Sequence, residues 1–138
     1  MIWSGRCRPG SDAPPEVLSL YGALNLVAAV LRAREGNRRS AHEHLDAATD
    51  VANRLSADRN DFETEFGPTN VLSHRVAIAV DLGDAGEALE IAERIDPVGL
   101  SPERQSRFWL DVARAHVQRR HVGDGTRHCS GPSAYPPN

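Results

Sequence analysis

Seven residues between positions 59 and 74 hold most of the chain's capacity for recognition: Arg59, Asn60, Asp61, Phe62, Phe66, Asn70 and His74. They offer a guanidinium, two amides, a carboxylate, an imidazole and two aromatic rings, the few convergent polar groups beside apolar surface that small-ligand pockets use. No reaction is spelled by them. Asp58, Asn60 and Phe62 stand at the first alternating positions of a calcium loop, but Phe62 is no ligand, and neither the required Gly nor the closing Glu follows. His42 and Asp46 lie one turn apart with His44 on another face, so a metal would need ligands from elsewhere, and a solvated helix face is the expectation. His74 and His116 stand among apolar helix positions, where a satisfied, partly buried imidazole is expected. Without a Ser-His-Asp order, a phosphate loop or a carboxylate pair, the sequence predicts a non-enzyme that needs no cofactor and no metal.

These residues straddle Asp58–Val71, the longest interruption between helical patterns. Gly67-Pro68 cannot continue a helix. An irregular segment of this length inside a helical domain is a binding loop or a packed joint. As a joint, Phe62 and Phe66 plug the space between two halves of the fold. As a binding loop, Arg59, Asn60, Asp61, Asn70 and His74 line a pocket.

The 138 residues allow one domain of about five helices. A net charge of −3 provides no basic field for nucleic acid or an anionic membrane. All 16 basic residues are Arg, which reflects codon usage rather than mechanism and suggests a bacterial source. Cys7 and Cys129 lie in Gly/Pro-rich tails with no metal-ligand spacing and are read as free thiols. The longest apolar run, Leu26–Leu31, is far short of the ~20 residues that span a bilayer. No signal-peptide core is present in Met1–Arg8. A cytoplasmic protein is therefore expected.

The helices follow from apolar period and punctuation. Residues 1–15 read as a disordered lead-in. Pro14 and Pro15 open a first helix whose Val17, Leu20, Leu24, Val27 and Leu31 recur at spacings of three and four, predicting these as its inner face. Gly36 ends it and Asn37 caps a second helix over Arg38–Leu55, with Ala41, Leu45, Ala48, Ala52 and Leu55 inward. A third helix starts near Thr69 or Asn70, either one a cap, presents Leu72, Val76, Ala79 and Val80, and ends at Gly83. Asp84 and Glu87 resemble a capping box for a fourth, which presents Ala85, Ala88, Leu89, Ala92 and Ile95. Ser101-Pro102 opens a fifth, with Phe108, Val112 and Ala115 inward, expected to fade near Arg120. The domain predicted is all-α, residues 16–121, built of antiparallel hairpins.

Gly36-Asn37 with Ala41 and Gly83-Asp84 with Ala88 form the same pattern 47 positions apart: a helix-ending Gly, a capping residue, and an Ala five positions after the Gly. This spacing is a mark of stacked helical hairpins and resembles the tetratricopeptide repeat. The repeat family's usual Trp and Tyr of helix A are absent from both hairpins. With Leu18–Leu26, Ala41–Leu45, Asp58–Val71 and Leu82–Leu89, residues Glu16–Arg120 resemble the C-terminal repeat region of actinobacterial helix-turn-helix transcriptional regulators of the XRE type. The resemblance implies a short TPR-like solenoid serving as a sensor or scaffold, without the DNA-binding part. One reading is an interaction scaffold with a protein or peptide partner held in a groove of helices one, three and five; from the charge balance, no nucleic acid and no membrane is expected to be bound by this chain. The alternative is a small-molecule sensor with its pocket at the 58–71 loop.

Residues 122–138 contain Gly123, Gly125, Gly131, Pro132, Pro136 and Pro137 and read as a disordered tail in place of a partner for helix five. Shifted by two bases from His128, GC-rich codons would encode Leu-Leu-Arg-Ala-Glu-Arg, so a frameshifted ending is expected. The faces of Phe108, Val112 and Ala115 would then lack cover, and the chain would self-associate through the helix-five end.

Overall fold

A computed structural model describes residues 9–10, 12–60 and 65–130, with side chains to Arg120. Five helices, α1 (Pro15–Arg34), α2 (Arg38–Leu55), α3 (Pro68–Asp81), α4 (Ala85–Ala92) and α5 (Pro102–Ser130), are joined by short turns and by the loop before α3, with a 3-10 turn at Pro97–Gly99. No strand occurs among the described residues.

Both helix-ending glycines adopt left-handed backbone, φ 76° at Gly36 and 87° at Gly83, which costs a residue without Cβ little. At each, two hydrogen bonds close the last turn: Asn37 N–H to Arg32 C=O (2.9 Å) and Gly36 N–H to Ala33 C=O, then Asp84 N–H to Ala79 C=O (2.7 Å) and Gly83 N–H to Val80 C=O. Ala41 and Ala88 are fully buried. The two turns also touch, since Arg38 donates to the Leu82 carbonyl (3.0 Å) and to the Asp84 carboxylate. Asp84 therefore engages Arg38 and makes no side-chain cap of α4, contrary to the capping-box expectation. Asn37 does cap α2, accepting from Ser40 N–H at 3.1 Å.

Two hydrophobic clusters form, and α3 serves both. Val71 and Ile78 join the α1/α2 cluster, while Val76, Ala79 and Val80 join the cluster completed by α4 and α5. The predicted inner positions of α2, α4 and α5 are buried or partly buried.

Helix α1 is the exception. Its buried residues are Leu18, Ser19, Tyr21, Gly22, Asn25, Leu26, Ala29 and Ala33, and the predicted inner stripe Val17, Leu20, Leu24, Val27 and Leu31 is exposed. The physical reason is that α1 has two apolar faces. Period alone does not choose between them, and the face with Gly22, Ala29 and Ala33 permits closer approach. At Gly22 a Cβ would fall 2.2 Å from the Phe66 ring. With 20 residues and a mean hydropathy of 1.4, α1 is also long and apolar enough to cross a membrane; 44% of that span is buried within this fold. The buried side is tied to α2 by Asn25, whose Nδ2 donates to Tyr21 C=O (3.0 Å) and whose Oδ1 accepts from His44 Nδ1 (2.9 Å).

Helix α5 continues to Ser130, ten residues past its expected end. Gly123 and Gly125 each weaken a helix by only about 1 kcal/mol, and the next proline is Pro132. Phe108 (2% exposed) and Ala115 (0%) are covered by the second cluster, so the face expected to lie open is already filled by α3 and α4. The rest of the tail, residues 131–138, lies outside the described residues.

Candidate functional site

The described residues of the segment before α3 form a packed joint. Phe66 is wholly buried, with its ring on Gly22 of α1, and its carbonyl accepts from Arg59 N–H at 2.8 Å. The Asn60 side chain accepts from Glu65 N–H (3.0 Å), while Glu65 itself takes a left-handed φ of 49°. Asp58 caps α3 from eleven residues upstream: its carboxylate accepts from Thr69 N–H (3.0 Å) and Thr69 Oγ1–H (2.7 Å). Neither Thr69 nor Asn70 fills the N-cap position, which belongs to Gly67. Gly67 is required by close approach, because a Cβ there would stand 2.4 Å from Asp58 Cα.

The seven predicted site residues consequently separate. Phe66 is a core plug, Arg59 stands 3.8 Å from Glu16 of α1, and Asn60 is spent on its own loop. Asp61 and Phe62 lie outside the described residues. Asn70 and His74 turn instead into an open groove of about 800 Å³ between α1, α3 and α5.

One wall of this groove is fastened by ion pairs. Arg114 of α5 donates to Asp81 of α3 (2.9 Å) and to Asp111 (3.0 Å), and Arg104 reaches Glu65 (3.2 Å) and the buried Asn70 Oδ1 (3.3 Å). Val30, Ala77 and Leu110 add apolar surface. Arg34 and Arg107 also line the groove, and neither has an ion-pair or hydrogen-bond partner among the described residues. An exposed, unpaired guanidinium beside apolar surface can take a carboxylate in a two-pronged hydrogen bond.

His74 is half-buried in the groove, with Nδ1 donating to the Asn70 carbonyl at 2.9 Å. Burial pushes its pKa below the ordinary value of 6.5; the Asn70 hydrogen bond opposes this, and the charges of Arg104 and Arg107 reinforce it. His44 is lowered as well, by burial first and then by Arg32, with Glu43 opposing. His116, expected to be partly buried, is exposed. Asp111 is displaced upward by burial, offset by Arg114 and Arg107.

The lowered imidazoles set a pH dependence. As pH falls through 6.5 the unfolded chain binds protons that the folded chain refuses, so stability present above 6.5 is lost toward the lowered pKa values. Asp111 acts in the opposite sense, and in the more acidic window above the ordinary carboxylate value. Thermal melts are expected to show a lower Tm at about pH 5.5 than at about pH 7.5, with a smaller drop in His74→Gln. A Tm that is flat or rises on acidification across that interval would contradict this assignment.

The groove's α5 residues were not among those predicted, although Arg104, Arg107, Asp111 and Arg114 recur at spacings of three, four and three on one helix face. Such a stripe ordinarily reads as solvated surface. Among the described residues, no group of three or more His, Cys, Asp or Glu side chains is gathered as a metal would need. No family model matches the chain, and no curated protein or solved structure is found to be similar to it.

Proposed function

We propose that this chain is a non-catalytic binding domain, a short TPR-like stack of hairpins in the cytoplasm, whose α1/α3/α5 groove receives an extended peptide segment of a protein partner. In this reading it corresponds to the sensor or scaffold part of a regulator of the XRE type, and acts on a regulatory partner rather than on DNA directly. The observation that carries the proposal is Arg107, a cation with no ion-pair or hydrogen-bond partner among the described residues and near Asp111, which Arg114 already holds, set on an open groove beside Leu110 and between walls fastened by their own ion pairs. An acidic side chain or a terminal carboxylate of the peptide would supply its counter-charge.

An array of acidic peptides, each with free and amidated C-termini, tests this by fluorescence anisotropy. Arg107→Glu is expected to weaken the best peptide at least about tenfold. Arg39→Glu, on exposed α2 surface, should leave it unchanged. Equal binding by all three proteins would remove the groove from consideration.

A small-molecule sensor is the second reading, favoured by the groove's volume of about 800 Å³, which lies within the range of ligand pockets. Its site is then the groove, with Asn70 and His74, rather than the 58–71 loop. Stabilisation by a metabolite in a thermal-shift screen, with no acidic peptide bound, would favour it.

A further inference from the structure

We propose that α1 is a self-association surface, and that two copies of this chain pair through an antiparallel α1–α1 contact. The exposed stripe Val17, Leu20, Leu24, Val27 and Leu31 leaves 39–58% of each residue open. Its three-four spacing is that of a coiled-coil seam about 21 Å long. A polar-faced helix would need no cover there; this one presents large aliphatic side chains along its full length, beyond the singly scattered exposure that surfaces tolerate.

The occupant that fits is the same stripe turned round. With a two-fold axis between Leu24 and Val27, Leu24 faces Val27 of the second copy and Leu20 faces its Leu31, an isologous arrangement in which every knob has an aliphatic counterpart. Val17 then lies on the aliphatic stem of the second copy's Arg34. Glu16 and Arg34 occupy the same edge of the stripe, at its opposite ends, so the antiparallel pairing sets each Glu16 carboxylate beside the guanidinium of the other copy. Glu16 would then share its carboxylate between Arg59 of its own copy and Arg34 of the other. Arg34 has no partner among the described residues, and Glu16 is 54% exposed, 3.8 Å from Arg59. A parallel pairing would instead gather both Glu16 at one end of the seam and both Arg34 at the other, with no opposite charges facing.

The stripe alone is smaller than the roughly 800 Å² per partner of a standard interface, so the dimer is expected to be weak and concentration-dependent. Phe108 and Ala115 of α5 are already covered while Trp109, Leu110 and Val117 stay open there; the contact is placed on α1 because its five exposed residues form one continuous row. It shares Arg34 with the lining of the groove but makes no use of Arg107, the cation of the proposed peptide site.

Sedimentation equilibrium of the full chain across the micromolar range decides the matter. A monomer–dimer equilibrium is expected, and Leu24→Glu should give monomer with an unchanged helical circular dichroism spectrum. Glu16→Arg and Arg34→Glu should each weaken the dimer about tenfold, and the double exchange Glu16→Arg/Arg34→Glu should restore it. The exchanged pair keeps the test decisive should Leu24→Glu fail to fold. A chain that stays monomeric throughout, a dimer that survives Leu24→Glu, or a double exchange no tighter than its single variants would overturn the proposal. So would monomeric chain that floats with phosphatidylcholine vesicles through Leu24, which would assign the stripe to lipid.

Discussion

Phe66→Ala is expected to destabilise the fold by about 3–5 kcal/mol. The ring is fully buried, and it occupies the space that the missing Cβ of Gly22 leaves open on α1. Truncation therefore leaves a cavity whose walls are helical backbone, which relaxes little. The same residue closes the loop through its carbonyl and Arg59 N–H, so loss of the ring also loosens the segment that places Asp58 under the start of α3. Urea unfolding with an unchanged m-value would measure the cost. A loss below about 1 kcal/mol would mean that the ring is solvated and that the 58–71 segment is a mobile binding loop after all. Gly22→Ala probes the contact from the other side: its methyl would stand 2.2 Å from the ring, so the ring or α1 must shift, at about 1–3 kcal/mol.

The joint illustrates which parts of the fold were legible. Gly36 and Gly83 could be read because a short helical hairpin needs a left-handed residue at that place, and the same hydrogen bonds recur at both. The inner faces of α2 and α4 could be read because their opposite faces are charged. On α1 the polar side that would orient the helix is nearly absent, and the two faces differ in side-chain size rather than in polarity. Close packing around Gly22, Ala29 and Ala33 decided the matter, and this is a property of α2 and Phe66 as much as of α1. Asp58 as a cap was hidden for a related reason, since it acts from outside the local window in which caps are sought. Of the groove's lining, Asn70 and His74 were among the residues singled out from sequence, because they begin a helix beside a loop. The contribution of α5 was not, because charged residues at helical spacing acquire a role only once α3 and α1 face them.

Phe108→Ala is expected to cost about 3–5 kcal/mol, and the neighbouring Trp109→Ala no more than about 1.5 kcal/mol. Both are large aromatic residues of α5, with ring centroids 5.1 Å apart in an edge-to-face arrangement. Their burial separates them. Phe108 is 2% exposed within the cluster of Val76, Val80, Ala88 and Ile91, whereas Trp109 is 55% exposed. Removing Phe108 takes away apolar surface already withdrawn from water and leaves a cavity between α3, α4 and α5. Removing Trp109 forfeits mainly the ring–ring contact, worth about 0.5–1.5 kcal/mol. The comparison also tests whether the chain needs a further helix to cover α5. Were the Phe108 face open, as the tail composition suggested, the two substitutions would cost similar and small amounts, and appending a leucine-rich helix would raise Tm. With Phe108 filled from α3 and α4, the appended helix finds no open core position at Phe108, only the half-exposed Trp109, Leu110 and Val117 to lie on, and Tm should stay within the few degrees that a surface change produces.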